Sequence, residues 1–380
     1  MRRILQATAD YIRECDKPLF LLCIIATLYG AAAVLSATYY PLGGLKQFIM
    51  HLVGLAIGLA AAVIISKVNY RTLAAWWIAI AVLFTVPVLL TFFIGYAPPG
   101  TDDKAWLLLP GGLSLQPAEF LKFAFLISFS RHLNKAADSI NKLPTLMMLC
   151  LHGAVPVLLI HEQGDDGTAL VFALMFLVMM FVAGLSWKYF AVAAGGLAAG
   201  IPALYFFIMN EDQKARVYAL LFPAEEDYLG VLWQQSRGRA ALANGGLFGK
   251  GYFNGSLVQS GSIPEGYNDF IFCSIGEELG LIGCLAVIAL LVAICVRIMK
   301  IGLRTTDKMG LYLCTGAFAM LIGQVIINIS MNLSLMPVIG ITLPFFSAGS
   351  TSLLSVYMAI GLVMSVHLHR TSGTIYLHDD

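Results

Sequence analysis

Charge is what this sequence has least of. Only 12% of its 380 residues are Asp, Glu, Lys or Arg, against 59% hydrophobic, where a soluble domain runs near ~25% charged. With a mean hydropathy of +0.82, a water-soluble fold of this size could not hide the apolar surface. That sets aside soluble enzymes and nucleic-acid-binding proteins. The two signs nearly cancel, with Lys+Arg 23, Asp+Glu 22 and a net charge of +1, so no global field draws in an anionic polymer. The sequence also lacks a cysteine framework. Cys15, Cys23, Cys150, Cys273, Cys284, Cys295 and Cys314 form no CxxC pair, and all but Cys15 lie in apolar runs. They read as small core hydrophobes rather than as disulfides or metal ligands. There is no low-complexity segment and no clear internal repeat.

What the chain has in abundance is long runs rich in Leu, Ala, Val and Phe. A helical membrane span needs roughly 20 apolar residues, and continuous runs exclude the alternating pattern of a transmembrane barrel. Ten runs qualify: 18–37, 47–66, 72–95, 116–131, 144–161, 167–185, 188–208, 270–297, 309–334 and 350–369. The expected fold class is an all-α polytopic membrane protein of about ten transmembrane helices, with residues 1–380 as a single transmembrane domain. The fourth run is short and carries charge. The first is too long for the apolar part of a signal peptide and lacks a small-residue cleavage pattern, so it reads as a span.

Loop charges give an orientation. With the N-terminus inside, one set of loops holds 15 Lys and Arg residues and the other 7, with Lys122 inside a span. The rule that cytoplasmic loops are the more positive places both termini in the cytoplasm. It places the large loop 209–269, between the seventh and eighth spans, on the extracytoplasmic side. That loop is too long for a connector, and loops of such length are usually functional. It lacks the apolar content of a separate domain, so it is expected to pack back on the bundle.

Ionisable residues at membrane depth are costly and therefore informative. In Gln116-Pro117-Ala118-Glu119-Phe120-Leu121-Lys122 the proline suits a first helical turn, and Glu119 and Lys122 share a face at i,i+3. They form either a structural pair or one wall of a substrate cavity. His161-Glu162-Gln163-Gly164-Asp165-Asp166 is an acidic loop in which Asp165 or Asp166 is placed to cap the sixth span. It holds more carboxylates than a cap needs, and clustered oxygens suit a hard divalent ion. The segment Trp233–Gly251 carries Arg237, Arg239 and Lys250 among glycines. It is either a solvated basic loop or a cradle for pyrophosphate, and it does not have P-loop spacing.

In Pro264-Glu265-Gly266-Tyr267-Asn268-Asp269-Phe270, Asp269 is the last polar residue before a strongly apolar span. It caps that helix, or it is a partly desolvated carboxylate suited to general-base work. Glu277 and Glu278, two turns deeper, are expected to need cationic partners or protons. The stretch from Gln324, Asn328 and Asn332 to the Pro/Gly-broken segment 337–350 reads as a re-entrant loop, tolerated only against protein or a wet cavity.

Five stretches, in order along nearly the whole chain, resemble the SEDS family (shape, elongation, division and sporulation), the RodA/FtsW/SpoVE-like glycosyltransferases of the bacterial cell wall. They are QPAEFLK, QGDDGTALV, QQSRGRAALANGGLFGKG, PEGYNDFIF with GEELG, and GQVIINISMNLSLMPVIGITLPFFSAGSTSLL. The resemblance implies a multi-pass protein of the bacterial cytoplasmic membrane that polymerises lipid II at the outer face. The GlcNAc 4-hydroxyl of lipid II attacks the anomeric carbon of the growing glycan, and undecaprenyl pyrophosphate leaves. It implies Asp269 as the catalytic residue, in the family's TDFIFA-type motif with Asn268 at the threonine place. Glu119 and Lys122 fall on the QPSE-type motif, Asp165 on the QPDLGTA-type motif, and Gln235, Ser236 and Arg216 on a QS pair and a loop arginine.

Together with Arg237, Arg239 and Lys250 these are the expected substrate-binding residues. Asp165 is also the candidate ligand for Mg2+ or Mn2+, and no organic cofactor is expected. Expected partners are lipid II, undecaprenyl-pyrophosphate-linked glycan, a class B penicillin-binding protein acting as transpeptidase, and other elongation or division proteins, but no nucleic acid. The chain departs from the family pattern at Ala105, Val231, Leu232, Ser330, Ser334, Ile339, Ala348 and Ser350, which points to a divergent member. Two other classes of function stay open at this point. A flippase or transporter would suit buried carboxylates and a midplane break, and a non-catalytic scaffold for a penicillin-binding partner would suit the departures.

Overall fold

A computed structural model describes residues 11, 13–97, 104–109, 113–209, 211–222, 224, 227, 230 and 232–370. Helices dominate: α1 (Lys17–Tyr39), α2 (Lys46–Lys67), α3 (Tyr70–Ala75), α4 (Trp77–Ile94), α5 (Pro117–Ala136), α6 (Leu143–His161), α7 (Asp166–Val182) and α8 (Trp187–Ala203). There follow a π-turn (Leu204–Ile208), α9 (Glu211–Leu221), α10 (Trp233–Gly245), α11 (Ser256–Gln259), α12 (Ile271–Leu303), α13 (Lys308–Asn332) and α14 (Ser350–His369). A short hairpin, β1 (Leu107–Leu109) against β2 (Leu113–Leu115), precedes α5. Seven of the helices are long and apolar enough to cross a membrane, and α7 is a shorter apolar helix. The protein is a polytopic helical membrane protein.

Each of the ten apolar runs coincides with helix, but the boundaries differ for local reasons. The third run is broken at Trp76, where Asn69 caps a separate first turn by accepting from the Arg71 amide. The fourth is longer than its apolar core, because Pro117 starts the helix and the polar Ser130–Lys135 stretch continues it to Ala136. The seventh leaves α-helical geometry at Ala203 and widens into the π-helical turn. Within the large loop, α10 and α11 lie against α12, and α11 also against α1.

The eighth run forms α12, which breaks at Gly280 with φ 68° and ψ −166°. Residues after α10 repair the break by pairing main chain to main chain. Lys250 N donates to Glu277 O (2.9 Å), Gly251 N to Glu278 O (2.9 Å) and Leu281 N to Gly246 O (2.9 Å). The groups freed by the break are thus satisfied by protein, which is the condition for irregular backbone at membrane depth.

The core runs along α13 and α14, the most enclosed of the candidate spans. Helix α14 lies along α2, where Gly54, Gly58 and Ala62 recur every fourth residue and let the backbones approach. At one end of the bundle Arg297 grips Asp16 (2.7 Å) and Arg71 meets Asp307 (3.2 Å). Asp16 and Asp307 also cap α1 and α13 by accepting from Leu19 N and Met309 N. Asp165, Asp269 and the α10–α11 segment occupy the opposite end.

Candidate functional site

The helix starting at Ile271 needs a cap, and the structure decides which residue supplies one. Phe270 is the N-cap residue, and no side chain caps it. The carboxylate of Asp269 is therefore not spent on the helix. Its main chain is fixed instead, because its carbonyl accepts from both Asn328 Nδ2 (2.9 Å) and Asn332 Nδ2 (2.9 Å) of α13. The preceding residues are held as firmly. Ser347 Oγ donates to Asn268 O (2.8 Å), Leu343 N donates to Ser347 Oγ (2.7 Å), and Ala348 N donates to Tyr267 O (3.0 Å). The 337–350 segment, expected as a re-entrant loop, packs against protein and clamps the Tyr267–Asp269 turn.

The same loop connects Asp269 to the start of α7. Gly340 has φ +63°, and a Cβ there would stand 3.9 Å from Asp269 Oδ2. One residue earlier, the Ile339 carbonyl presses on Gly167, where a Cβ would come within 2.4 Å of it. Gly167 follows Asp165, whose Oδ1 caps α7 by accepting from Thr168 N (2.9 Å) while Oδ2 accepts from Gln116 Nε2 (2.5 Å). Gln116 in turn precedes α5, where Lys122 Nζ bonds Glu119 Oε1 (2.8 Å) and both side chains are buried. Glu119 Oε2 is buried with no hydrogen-bond partner among the described residues.

Electrostatics follow from this proximity. Burial pushes the half-buried Asp269 up to about 7, and the negative charges of Glu265 and then Asp165 push in the same direction. Burial raises Asp165 to about 6, opposed by its hydrogen bonds with Thr168, while Glu119 raises it and Lys122 lowers it. The carboxylates thus feel one another in sequence, Asp269 to Asp165 to Glu119, with Lys122 as the buried cation at the far end. A carboxyl titrating near neutrality, free of capping duty, can accept a proton from a hydroxyl at physiological pH.

The other expected site residues are placed differently. Gln235 is buried, and its amide donates to Met331 O (3.2 Å) and Met336 O (2.6 Å), bracing the end of α13. Ser236 Oγ donates to Trp233 O (2.8 Å) within α10. Arg237, Arg239 and Lys250 are exposed and form no ion pair among the described residues. Arg216 lies on α9, and the expectation for its side chain falls outside the described residues.

Glu277 and Glu278, expected to need cations or protons, have no cationic partner among the described residues. Neutral donors satisfy them. Glu277 accepts from Asn244 Nδ2 (2.6 Å), Ser256 Oγ (3.2 Å), Leu257 N (3.0 Å) and Val258 N (2.8 Å), so it caps α11. Glu278 accepts from Ser36 Oγ (2.7 Å) and Gln259 Nε2 (2.7 Å).

A divalent ion does not fit well at Asp165. Both its oxygens already accept hydrogen bonds, and among the described residues no three His, Cys, Asp or Glu side chains cluster as a metal site.

A helical membrane bundle that clamps a desolvated, uncapped carboxylate at a helix start, with further buried carboxylates behind it, defines a membrane enzyme scaffold rather than a simple channel. Its family is shown by comparison. The cell cycle protein family of FtsW, RodA and SpoVE matches residues 16–372, and the chain belongs to it. Peptidoglycan glycosyltransferase MrdB of Escherichia coli strain K12 is 33% identical over 356 residues, covering 93% of this chain and 94% of the relative. A probable peptidoglycan glycosyltransferase FtsW of Trichlorobacter lovleyi is 29% identical over 374 residues, covering 93% of each.

Among solved structures, one described as the structural coordination of polymerization and crosslinking by a peptidoglycan synthase complex superposes with a TM-score of 0.80 at 26% identity. It covers 93% of this chain and 97% of that one. The rod shape determining protein RodA of Thermus thermophilus superposes at 0.70 and 24% identity over 94% of this chain and 98% of that one, a likeness of fold. The chain is a multi-pass bacterial membrane protein.

The residues that build the turn lie in the stretch expected as a re-entrant loop, but their bond to Asp269 is not visible in the sequence. Asn328 and Asn332 were legible only as polar residues in an apolar helix, one turn apart. Ser347, Gly340 and Gly167 carried no signal of their own, because their partners lie far away in the chain.

Proposed function

We infer that this chain is a peptidoglycan glycosyltransferase that polymerises lipid II at the outer face of the cytoplasmic membrane, with Asp269 as general base. The observation that carries the reading is Asp269 itself: anchored through its carbonyl, not used as a cap, and raised to about 7. In the step, the 4-hydroxyl oxygen of the acceptor GlcNAc forms a bond to the anomeric carbon of the donor glycan. The bond from that carbon to the pyrophosphate oxygen breaks, and its electron pair leaves with undecaprenyl pyrophosphate. The hydroxyl proton passes to Asp269. A single displacement with no covalent intermediate inverts the donor's α linkage to β, the logic of inverting glycosidases.

The donor's pyrophosphate is assigned to the cations Lys250, Arg237, Arg239 and Arg216. Lys250, Arg237 and Arg239 are exposed and have no acidic partner among the described residues, so they are free to meet the charge that develops on a leaving diphosphate; Arg216 is included on the family resemblance alone. Glu119, Lys122 and Asp165 are assigned to the sugar side, because Glu119 Oε2 is a buried acceptor still lacking a donor. Gln235 and Ser236 act through the α10 scaffold that carries the arginines. A class B penicillin-binding protein is the proposed partner, since a polymerised glycan needs crosslinking and a structural neighbour is described as coordinating the two.

Purified full-length protein given lipid II should form glycan polymer, and Asp269→Asn should fold and bind lipid II yet polymerise roughly 10²–10⁴-fold more slowly. Near wild-type polymerisation by Asp269→Asn would place the base elsewhere. Lipid II translocation in proteoliposomes without polymer formation would favour a flippase instead.

A further inference from the structure

The Asp269 turn hangs on two side-chain amides, and one of them could fail in a specific way. An asparagine amide presents an oxygen on one side and an NH2 on the other, and only the correct orientation puts a donor on a given acceptor. Asn332 is fully buried in α13. Its Nδ2 donates to Asp269 O (2.9 Å), to Asn328 O (2.9 Å) and towards Asn328 Oδ1 (3.2 Å). If the amide turned over, Oδ1 would face the Asp269 and Asn328 carbonyls, three acceptors with no donor among them.

Those acceptors already oppose the flip from one side of the amide, and a thiol opposes it from the other. Cys273 lies one turn into α12 from Asp269, fully buried, and its Sγ donates to Asn332 Oδ1 (2.9 Å). The thiol is confined on its other side by α10, since a Cβ on Gly238 would come within 2.9 Å of Cys273 Sγ and 2.9 Å of the Phe270 ring. Its one other acceptor among the described residues is the Asn332 main-chain carbonyl, farther off at 3.8 Å. The chain of contacts runs from Cys273 to the Asn332 amide, and from there to the Asp269 carbonyl, which Asn328 also holds. In the TDFIFA-type motif that this segment resembles, the place of Cys273 is alanine, which has no donor, so the device belongs to this chain's own sequence.

We propose that Cys273 is a positioning residue for polymerisation, its thiol setting the Asn332 amide so that both α13 asparagines donate to the Asp269 carbonyl and fix the turn that presents the carboxylate. The proposal rests on Asp269 as the base. It does not need the thiol to touch substrate, and the thiol's enclosure keeps it from doing so. A misplaced base lowers turnover without weakening the capture of lipid II, because the contacts that bind the donor and acceptor lie on other elements.

The test is steady-state lipid II polymerisation by the purified full-length chain, comparing wild type, Cys273→Ala, Cys273→Ser and Asp269→Asn. Cys273→Ala removes the donor and introduces the motif's own residue, so the fold is expected to hold, which the melting temperature checks. The expected result is a kcat lowered about 3- to 10-fold with KM for lipid II unchanged, the scale of one lost hydrogen bond. Cys273→Ser keeps an O–H donor on the same Cβ and should return kcat to within about 2-fold of wild type. Wild-type turnover in Cys273→Ala, or equal loss in the alanine and serine variants, overturns the proposal. Asp269→Asn separates the two readings. If it polymerises normally the base assignment has failed, and if it is dead while Cys273→Ala is unimpaired only the thiol's role has.

Discussion

Two charges of its own sign act on Asp269 among the described residues. Glu265 and Asp165 both favour its protonated form and act in the same direction as burial, which is why the carboxyl titrates near 7 rather than near 4. As a base it works only when deprotonated. Polymerisation should therefore be full above pH 7 and fall tenfold per pH unit below it, an acid limb readable in kcat/KM against pH. Removing a negative neighbour lowers the energy of the carboxylate, so Glu265→Gln should move that limb to lower pH while leaving the plateau rate nearly intact. A limb that stays in place would mean that Glu265 does not act on the base. The sequence made Asp269 legible because a carboxylate directly before Phe270-Ile271-Phe272 cannot be fully hydrated. It could not reveal that the residue leaves capping to Phe270, nor that neutral donors satisfy Glu277 and Glu278. Those facts depend on Asn328, Asn332, Asn244 and Ser36, whose closeness is created only by the fold.

Helix α12 shows what an apolar run conceals at the scale of the element. Its residues read as one continuous span, yet the helix breaks at Gly280, and the break is closed by main chain from Gly246 to Gly251. Periodicity carries no trace of such a repair, because the partner is a loop about 30 residues upstream whose glycines look like ordinary turn material. The seam between α2 and α14 has a local pattern, Gly54, Gly58 and Ala62 at a spacing known to bring helices close. Here the contact is tight enough to test. A Cβ on Gly58 would meet the Tyr357 ring at 2.6 Å, and Tyr357 is itself held, fully buried, by Thr27 (2.8 Å). Gly361 on the facing helix would meet the Ala62 backbone at 2.9 Å. Gly58→Leu should cost about 1–3 kcal/mol through overpacking and lower the thermal midpoint in detergent. Ile57→Leu, at a position 52% exposed on the same helix, should leave it unchanged. Equal midpoints for the two variants would show that the seam yields.

The whole molecule is polarised end to end, and its function depends on which end faces out. The cations counted on the more positive side do collect at one end of the bundle: Arg297 on Asp16, Arg71 on Asp307, Lys308 near Asp138 and Lys67 over the Tyr11 ring. The opposite end carries Asp165, Asp269 and the α10–α11 segment with Lys250. The expected sidedness rests on the excess of 15 over 7 basic residues in the sequence, and the four of them just named share one end of the bundle. The rule that positive loops stay inside is what supports the proposal that the Asp269 end faces out, where a lipid-linked glycan can be extended into the wall. A Lys250→Cys variant, made with Cys15 and Cys150 replaced by Ser, should be labelled in intact cells by a membrane-impermeant maleimide. Arg304→Cys, exposed at the other end of α12, should react only after permeabilisation. The remaining native cysteines are buried and should stay silent. The reverse pattern would put the carboxylate cluster in the cytoplasm. Polymerisation at the outer face would then be impossible for this chain, however well Asp269 is built as a base.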